Sequence, residues 1–509
     1  MKKHRIWFFV ILIIACLIRF INIDSVPVGL NADEAYAGYE AWSIAETGAD
    51  SHGYQSPVYF VSWGSGMNVL YSYLSIPAVK IFGLSTFSLR ITQAIFGVAT
   101  IIIIYLIIKK FLGQRKALIG TGLLAIIPWH IMLSRWGLES DILPFCLSLG
   151  ILGFVYGIEK KPFLLLSALG FGLSLYSYAV AWAVVPFLVV GLVWHGIRTK
   201  KLQWNKWSIM SGCLLILMGL PLVLFLAVNA GLLPEIRTAL ISIPKMPAFG
   251  SGGYGANIFE HIGNLFSVIF SIKPDGYNAI GLHGLFFLPS LPLMLYGIWI
   301  SFKKFFTNIK QRKWSLETVI AIWLLACIPM ALLILDGNAT RLNSLMLPLF
   351  LCIVVGLLEL TREKPLSRIL PVALTGYAVM AVFFLHDYST NRAWNFPEVV
   401  SAIEATNGRD NEVYFDGQNF AQLLVAARPM ITPEEAIIDN PDGTEWVNGR
   451  IDVQNIGRYH LQTKATDPID PDGTYIIHTN NTEFEEALNL HGFSLIKETY
   501  DRKVFTINK

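Results

Sequence analysis

The chain has 509 residues, 54% hydrophobic and 15% charged, with a formal net charge of +3. A soluble protein of this length needs charge over its whole surface, about a quarter of its residues, and the deficit is concentrated between Ile6 and Leu385. This composition excludes an ordinary soluble fold, and the small net charge gives no footing for a nucleic-acid partner.

In chain order, MKKHR opens an apolar run reaching Ile18, with no small-residue cleavage site after it. The pattern predicts an uncleaved first span with Arg19 near its outer end. Apolar runs of about 18 residues can cross a hydrocarbon core of about 30 Å. They recur at 6–22, 88–108, 117–133, 142–158, 163–180, 182–197, 208–228, 284–302, 318–335, 342–360 and 367–385. The expected fold class is an α-helical polytopic membrane protein of about eleven transmembrane helices over residues 1–386. The five cysteines, Cys16, Cys146, Cys213, Cys327 and Cys352, all lie inside these runs. A free thiol there behaves as a small hydrophobe, so neither a disulfide framework nor a metal site is expected.

Orientation follows from Lys and Arg, which are retained on the cytoplasmic side. One alternate set of connections is short and basic: Lys2, Lys3 and Arg5, then Lys109 to Lys116, Lys160 and Lys161, Arg198 to Lys206, Lys303 to Lys313, and Arg362 to Arg368. The other set is longer and poorer in cations. The N-terminus is thus expected in the cytoplasm and the C-terminal domain outside a cell membrane crossed many times.

The outer connections 23–87 and 229–283 are long, rich in aromatics or in Gly and Pro, and loops of that size are usually functional. The segment MNVLYSYLSIPAVKIFG is expected to lie flat at the outer interface. From 387 to 509 short strand-like runs (EVYFD, GTYIIHT, FSLIKETY, KVFTINK) alternate with helix-like ones, which predicts a small extracytoplasmic α/β domain.

Three constellations carry candidate chemistry. Asp33 and Glu34, in GLNADEAYAGYEAW, stand just beyond the outer end of the first span. A carboxylate there can act as general base on a hydroxyl; alternatively, Asp33 N-caps the helix that follows. In PWHIMLSRWGLESDILPF, Arg135 and Glu139 have i,i+4 spacing, with Asp141 and His130 close in sequence. Arg135 suits a phosphate through its planar set of donors; alternatively, it pairs with Glu139, and His130 is an interfacial hydrogen-bonder. In DGNATRLNSLMLP, Arg341 stands between Asn338 and Asn343. An outer-leaflet arginine there suggests an anionic partner, or it snorkels to lipid headgroups, the reading also given to Arg19. Arg237, Lys245 and Lys273 are further phosphate candidates, and Tyr176, Tyr178 and Trp182 read as an aromatic belt.

Together these blocks resemble the GT-C superfamily of polyprenyl-phosphate-sugar-dependent glycosyltransferases. The likeness is greatest to the branch with the protein O-mannosyltransferases and the aminoarabinose transferases of lipid A. It rests on the acidic pair in NADEAYAGYEAW, the SR-x-x-x-E block PWHIMLSRWGLESD and the N-x-x-R…P block NATRLNSLMLP. The resemblance implies a GT-C-like fold and transfer of a hexosyl or pentosyl group from a polyprenyl-phosphate donor to an acceptor hydroxyl at the outer face, with inversion. It implies Asp33 as base with Glu34 beside it, Arg135 and Arg341 as the phosphate grip, and Glu139, Asp141 and His130 in support. The implied partners are membrane lipids, the lipid-linked sugar, and an envelope glycan, lipid or protein as acceptor. No cofactor is expected, since the sequence shows no dedicated oxygen cage for a divalent cation. The pattern departs from the protein mannosyltransferases at position 140, a Ser flanked by Glu139 and Asp141 where an Asp is usual, which leaves either acid as the counterpart. The rivals are a secondary transporter, which would show an internal repeat and mid-membrane polar residues, and a non-catalytic envelope-assembly protein.

Overall fold

The computed structural model describes residues 2–62, 66–246, 258–270, 283–333, 338–362, 366, 368–390, 398–417, 420–427, 444–447, 450–453 and 455–507. It divides into two compact units. One holds residues 1–23, 90–223 and 253–394; the other holds 24–89, 224–252 and 395–509.

The first unit is helical. Lys2–Phe20, Thr86–Leu112, Gln114–Ile126, Leu143–Gly157, Phe163–Ser174, Val180–Arg198, Lys206–Asn229, Ser290–Gln311, Leu316–Ala326, Asn343–Leu360 and Ile369–Thr390 fall on the predicted apolar runs in turn. Among the described residues, six helices are long and apolar enough to cross a bilayer. Ser290–Gln311 and Leu316–Leu332, bent by 109°, make a seventh if the pair is one span. Other runs are cut by residues that cannot continue a helix. Ile127 precedes Pro128 and is extended, which divides 117–133 into Gln114–Ile126 and Pro128–Leu133. Ile6, Trp7, Phe9 and Ile13 of the first helix are more than half exposed, as side chains facing lipid are. The chain is a multi-pass membrane protein.

Within this unit two helices approach backbone to backbone. A Cβ at Gly297 would sit 1.9 Å from the carbonyl oxygen of Cys352, and one at Gly356 would sit 2.1 Å from that of Leu293. Association in hydrocarbon rests on such close packing of small residues. Gly297→Ala is therefore expected to cost at least about 1–3 kcal/mol, read as a lowered thermal unfolding midpoint in detergent. Gly376→Ala is the control, because a Cβ there meets nothing within 4 Å.

The second unit is built around the helix Ala32–Thr47. Asn31 caps it by accepting from the backbone N–H of Asp33 at 2.8 Å, and Gly48 ends it in the left-handed conformation at φ 79°. From Glu34 to Ala41 every residue is buried. Such a helix must be covered on all sides. The helix Leu70–Phe82 supplies one flank, with the Ser72 hydroxyl donating to the Ala37 carbonyl at 2.8 Å. This is the segment expected to lie flat; its Leu70, Tyr71, Ser72, Ser75 and Val79 are buried, while Ile81 and Phe82 are exposed. The helix Phe420–Ala427 supplies another flank, and the Gln422 amide donates to the Leu30 carbonyl at 3.2 Å. The two long loops also join here. Val58 N–H donates to Ser242 O at 3.0 Å, and Ser242 N–H to Ser56 O at 3.2 Å. Residues 247–257 and 271–282 of the second loop, including Lys273, lie outside the described residues.

The tail forms the mixed α/β layer its sequence predicts. A six-stranded sheet runs in the order Ser494–Glu498, Arg502–Thr506, Thr474–His478, Val413–Phe415, Tyr459–His460, Asn455–Ile456. Thr474–His478 and Tyr459–His460 pair parallel with Val413–Phe415, and the other pairs are antiparallel. Its core packs Tyr475, Ile477 and Phe505 against Phe484 and Leu488 of the helix Thr482–Leu490, with Phe493 just beyond it.

Candidate active site

Asp33 and Glu34 occupy the first turn of the helix Ala32–Thr47 and point differently: Asp33 is exposed and Glu34 fully buried. Because Asn31 is the cap, Asp33 does not fill that role. Its carboxylate belongs to the first turn of the helix, at the positive end of the helix dipole.

Arg135, Glu139, Asp141, His130 and Arg341 belong to the other unit. The helix Pro128–Leu133 ends before Arg135, and Glu139–Ile142 is a separate 3-10 turn, so Arg135 and Glu139 do not share one α-helical face. The Ser134 hydroxyl donates back to His130 O at 2.6 Å, a local bond that competes with continued helix. Arg135 is nearly buried and donates to three carbonyls: Ile18 at 2.7 Å, Ile21 at 2.9 Å and Asn22 at 2.9 Å. These lie at the C-terminal end of the first helix, the negative pole that attracts a cation.

Arg19 does not snorkel. It is fully buried, donating to Ala15 O at 3.2 Å, Ala125 O at 3.0 Å, Ser134 Oγ at 3.1 Å and His130 Nδ1 at 2.8 Å. Carbonyls in place of carboxylates are a usual way to hold a cation within a helical bundle. Arg90 adds a bond to Ile23 O at 3.3 Å.

The second and third sequence blocks meet through a residue the sequence offered only as a neighbour of Arg341. Asn343 donates to Asp141 Oδ1 at 2.9 Å and to Ser140 O at 3.2 Å, and it accepts from Trp129 Nε1 at 2.9 Å. Gln93 donates to Asp141 O at 2.7 Å, and all of these residues are buried. The available signal was a polar residue opening an otherwise apolar run. Arg341 is half-buried one step ahead of the capping position of Asn343–Leu360, its backbone N–H donating to Asn338 Oδ1 at 2.8 Å. A guanidinium beside a helix N-terminus is a setting suited to an anion.

Among the other cations, Arg237 pairs with Glu235 and lies 4.1 Å over the Tyr54 ring, whose hydroxyl donates to Glu235 at 2.9 Å. Lys245 is exposed. The Tyr176 hydroxyl donates to Met218 O at 2.7 Å, and Trp182 Nε1 donates to Leu175 O at 2.8 Å.

A second acidic group in the Asp33 helix escaped sequence reasoning. Glu40 is fully buried and accepts both the backbone N–H of Ser51, at 2.9 Å, and its hydroxyl. Tyr36 OH lies 3.2 Å from that hydroxyl. Neighbouring Asp50 is buried and accepts from the backbone N–H groups of His52 at 2.9 Å and Tyr54 at 2.8 Å. Burial, and then the charge of Asp50, raise the Glu40 carboxyl well above the carboxylate range; burial likewise raises Asp50. The folded state thus binds a proton that the unfolded chain releases above about pH 4.3. Stability is accordingly expected to fall as pH rises from there, by up to about 1.4 kcal/mol per unit, levelling off above the raised pKa. Glu40→Gln keeps a neutral group in place and should flatten that slope in thermal unfolding measured across pH.

Residues 69–229 match the family of dolichyl-phosphate-mannose-protein mannosyltransferases. Dolichyl-phosphooligosaccharide-protein glycotransferase 2 of Pyrococcus horikoshii is 28% identical over 171 residues, 31% of this chain and 22% of that relative. The chain thus spans about a fifth of that curated relative's length. Among solved structures, ArnT from Cupriavidus metallidurans superposes with a TM-score of 0.60 at 12% identity, covering 98% of this chain and 97% of ArnT. The same ArnT bound to undecaprenyl phosphate gives 0.59. The oligosaccharyltransferase AglB of Archaeoglobus fulgidus, in complex with an inhibitory peptide and a dolichol-phosphate, gives 0.50 at 14% identity, covering 83% of this chain and 63% of AglB. The chain has the fold of ArnT.

Proposed function

We propose that this chain is a membrane glycosyltransferase. It moves a sugar from a polyprenyl-phosphate donor to an acceptor hydroxyl at the outer face of the membrane, inverting the anomeric centre. The observation that carries the reading is Asp33, an exposed carboxylate on a helix capped by another residue, in a chain that superposes almost end to end on a protein solved with undecaprenyl phosphate.

The chemistry follows from the groups. Polyprenyl phosphate is a competent leaving group, so its C1–O bond breaks without much help. The acceptor hydroxyl is a poor nucleophile, and Asp33 takes its proton as the new C1–O bond forms. Attack opposite the leaving phosphate inverts the centre. Arg341 and the N-terminus of Asn343–Leu360 hold the phosphate. Arg135 contributes mainly by fixing the end of the first helix, since two of its nitrogens already serve carbonyls. Acceptors of the proposed class are an envelope glycan, a lipid or a protein.

The test is direct. Purified protein supplied with hexosyl or pentosyl polyprenyl phosphate should release polyprenyl phosphate when acceptor is present, and mass spectrometry of envelope glycans should lose a sugar when the protein is removed. Intact, inserted protein with no release and an unchanged glycan profile would overturn the reading.

A further inference from the structure

The helix Lys206–Asn229 touches its neighbours tightly at one level and then leaves them. A Cβ at Gly172 would meet Met218 Sδ at 2.3 Å, and the Tyr176 hydroxyl bonds Met218 O. Nearer the Lys206 end, a Cβ at Gly212 would meet nothing within 4 Å. Only 11% of the most apolar stretch of this helix is buried. The divergence opens a groove against Phe154, Phe171, Val193 and Ile197, with Trp204 and Ser211 also in its lining.

The mouth of the groove has a different chemistry. The connections after Gly157 and after Arg198 lie at the same end of the bundle, joined where Lys161 Nζ donates to Lys201 O at 2.9 Å. Lys160, Lys200, Lys201 and Lys206 are exposed there, and Trp204 is 84% exposed. An apolar slot lined by Trp204, with the exposed Lys200, Lys201 and Lys206 flanking its lining residues in the chain, is complementary to one molecule: a lipid with an anionic headgroup, its chain in the slot and its phosphate near the cations.

We propose that this groove is a binding site for an anionic phospholipid of the leaflet facing the basic connections, separate from the proposed donor site. The lipid chain replaces the helix contacts missing beyond Met218. The lysines select charge, and the slot selects a chain.

Native mass spectrometry of the full-length protein in detergent, with added phosphatidylglycerol or phosphatidylcholine, tests this. The expected result is retention of one phosphatidylglycerol against little phosphatidylcholine. Lys200→Gln/Lys201→Gln/Lys206→Gln should cut retention by at least tenfold, since each lysine near a charged headgroup is worth roughly fivefold. Gly212→Leu, which fills the slot from an open position, should cut it with all lysines intact. Equal retention of both lipids, or retention unchanged in both variants, would overturn the proposal. Displacement of phosphatidylglycerol by equimolar polyprenyl phosphate would also overturn it and assign the groove to the donor; occupation by a second copy of the chain would do the same for an oligomer.

Discussion

Asp33→Asn is expected to reduce sugar transfer by about 10²–10⁴-fold, the range that a positioned general base contributes, with no loss of folding or insertion. The structure separates these two outcomes. Asp33 is exposed, and the cap of its helix comes from Asn31. Replacing the carboxylate by an isosteric amide therefore removes the base and leaves the helix end intact. Asn31→Ala should do the reverse, costing about 1 kcal/mol of stability while retaining the base. The pair of variants, assayed for polyprenyl phosphate release and for thermal unfolding in detergent, distinguishes chemistry from support. Wild-type turnover in Asp33→Asn would remove this residue from the mechanism.

Asn343→Ala should be among the most damaging single changes to stability. It strips the hydrogen bonds to Asp141 Oδ1, Ser140 O and Trp129 Nε1 at once, in a region where none of these residues reaches solvent. Asp141 Oδ1 keeps the Ser140 hydroxyl at 3.1 Å, but Trp129 Nε1 loses its acceptor. A buried polar group left unpaired costs about 1–3 kcal/mol, so the change should lower the unfolding midpoint in detergent. Asn343→Asp keeps an acceptor for Trp129 but sets a second carboxylate against Asp141, and should be no better than Ala. An Asn343→Ala protein with the wild-type midpoint would show that the two sequence blocks are held together by something else. Transfer activity measured well below the midpoint would then report what the junction does for the site.

The apolar runs were legible because a span is written into consecutive residues, and each predicted run lies on helix. The α/β tail was legible for the same reason, its strands being local patterns of alternation. What escaped was whatever depends on a distant partner. Arg135 reads as a phosphate ligand in isolation, but the carbonyls it serves lie 113 to 117 residues earlier in the chain. The Asn343–Asp141 bond spans 202 residues, and no spacing rule reaches that far. Glu40 looks like an ordinary polar position on a helix until the turn at Asp50 and Ser51 folds over it. The sharp bend between Gln311 and Leu316 falls where the basic connection Lys303 to Lys313 was expected, whereas the break at Pro128 lies inside the run 117–133 that was read as one span.

The bond between Gln422 and Leu30 crosses 392 residues, and that interval is also a span of time. At about 5–20 residues per second, a ribosome needs roughly 20–80 s to pass from one to the other. Throughout that wait the segment carrying Asp33 lacks the wall later provided by Phe420–Ala427. A chain truncated before Phe420–Ala427 thus leaves one flank of the Asp33 helix uncovered.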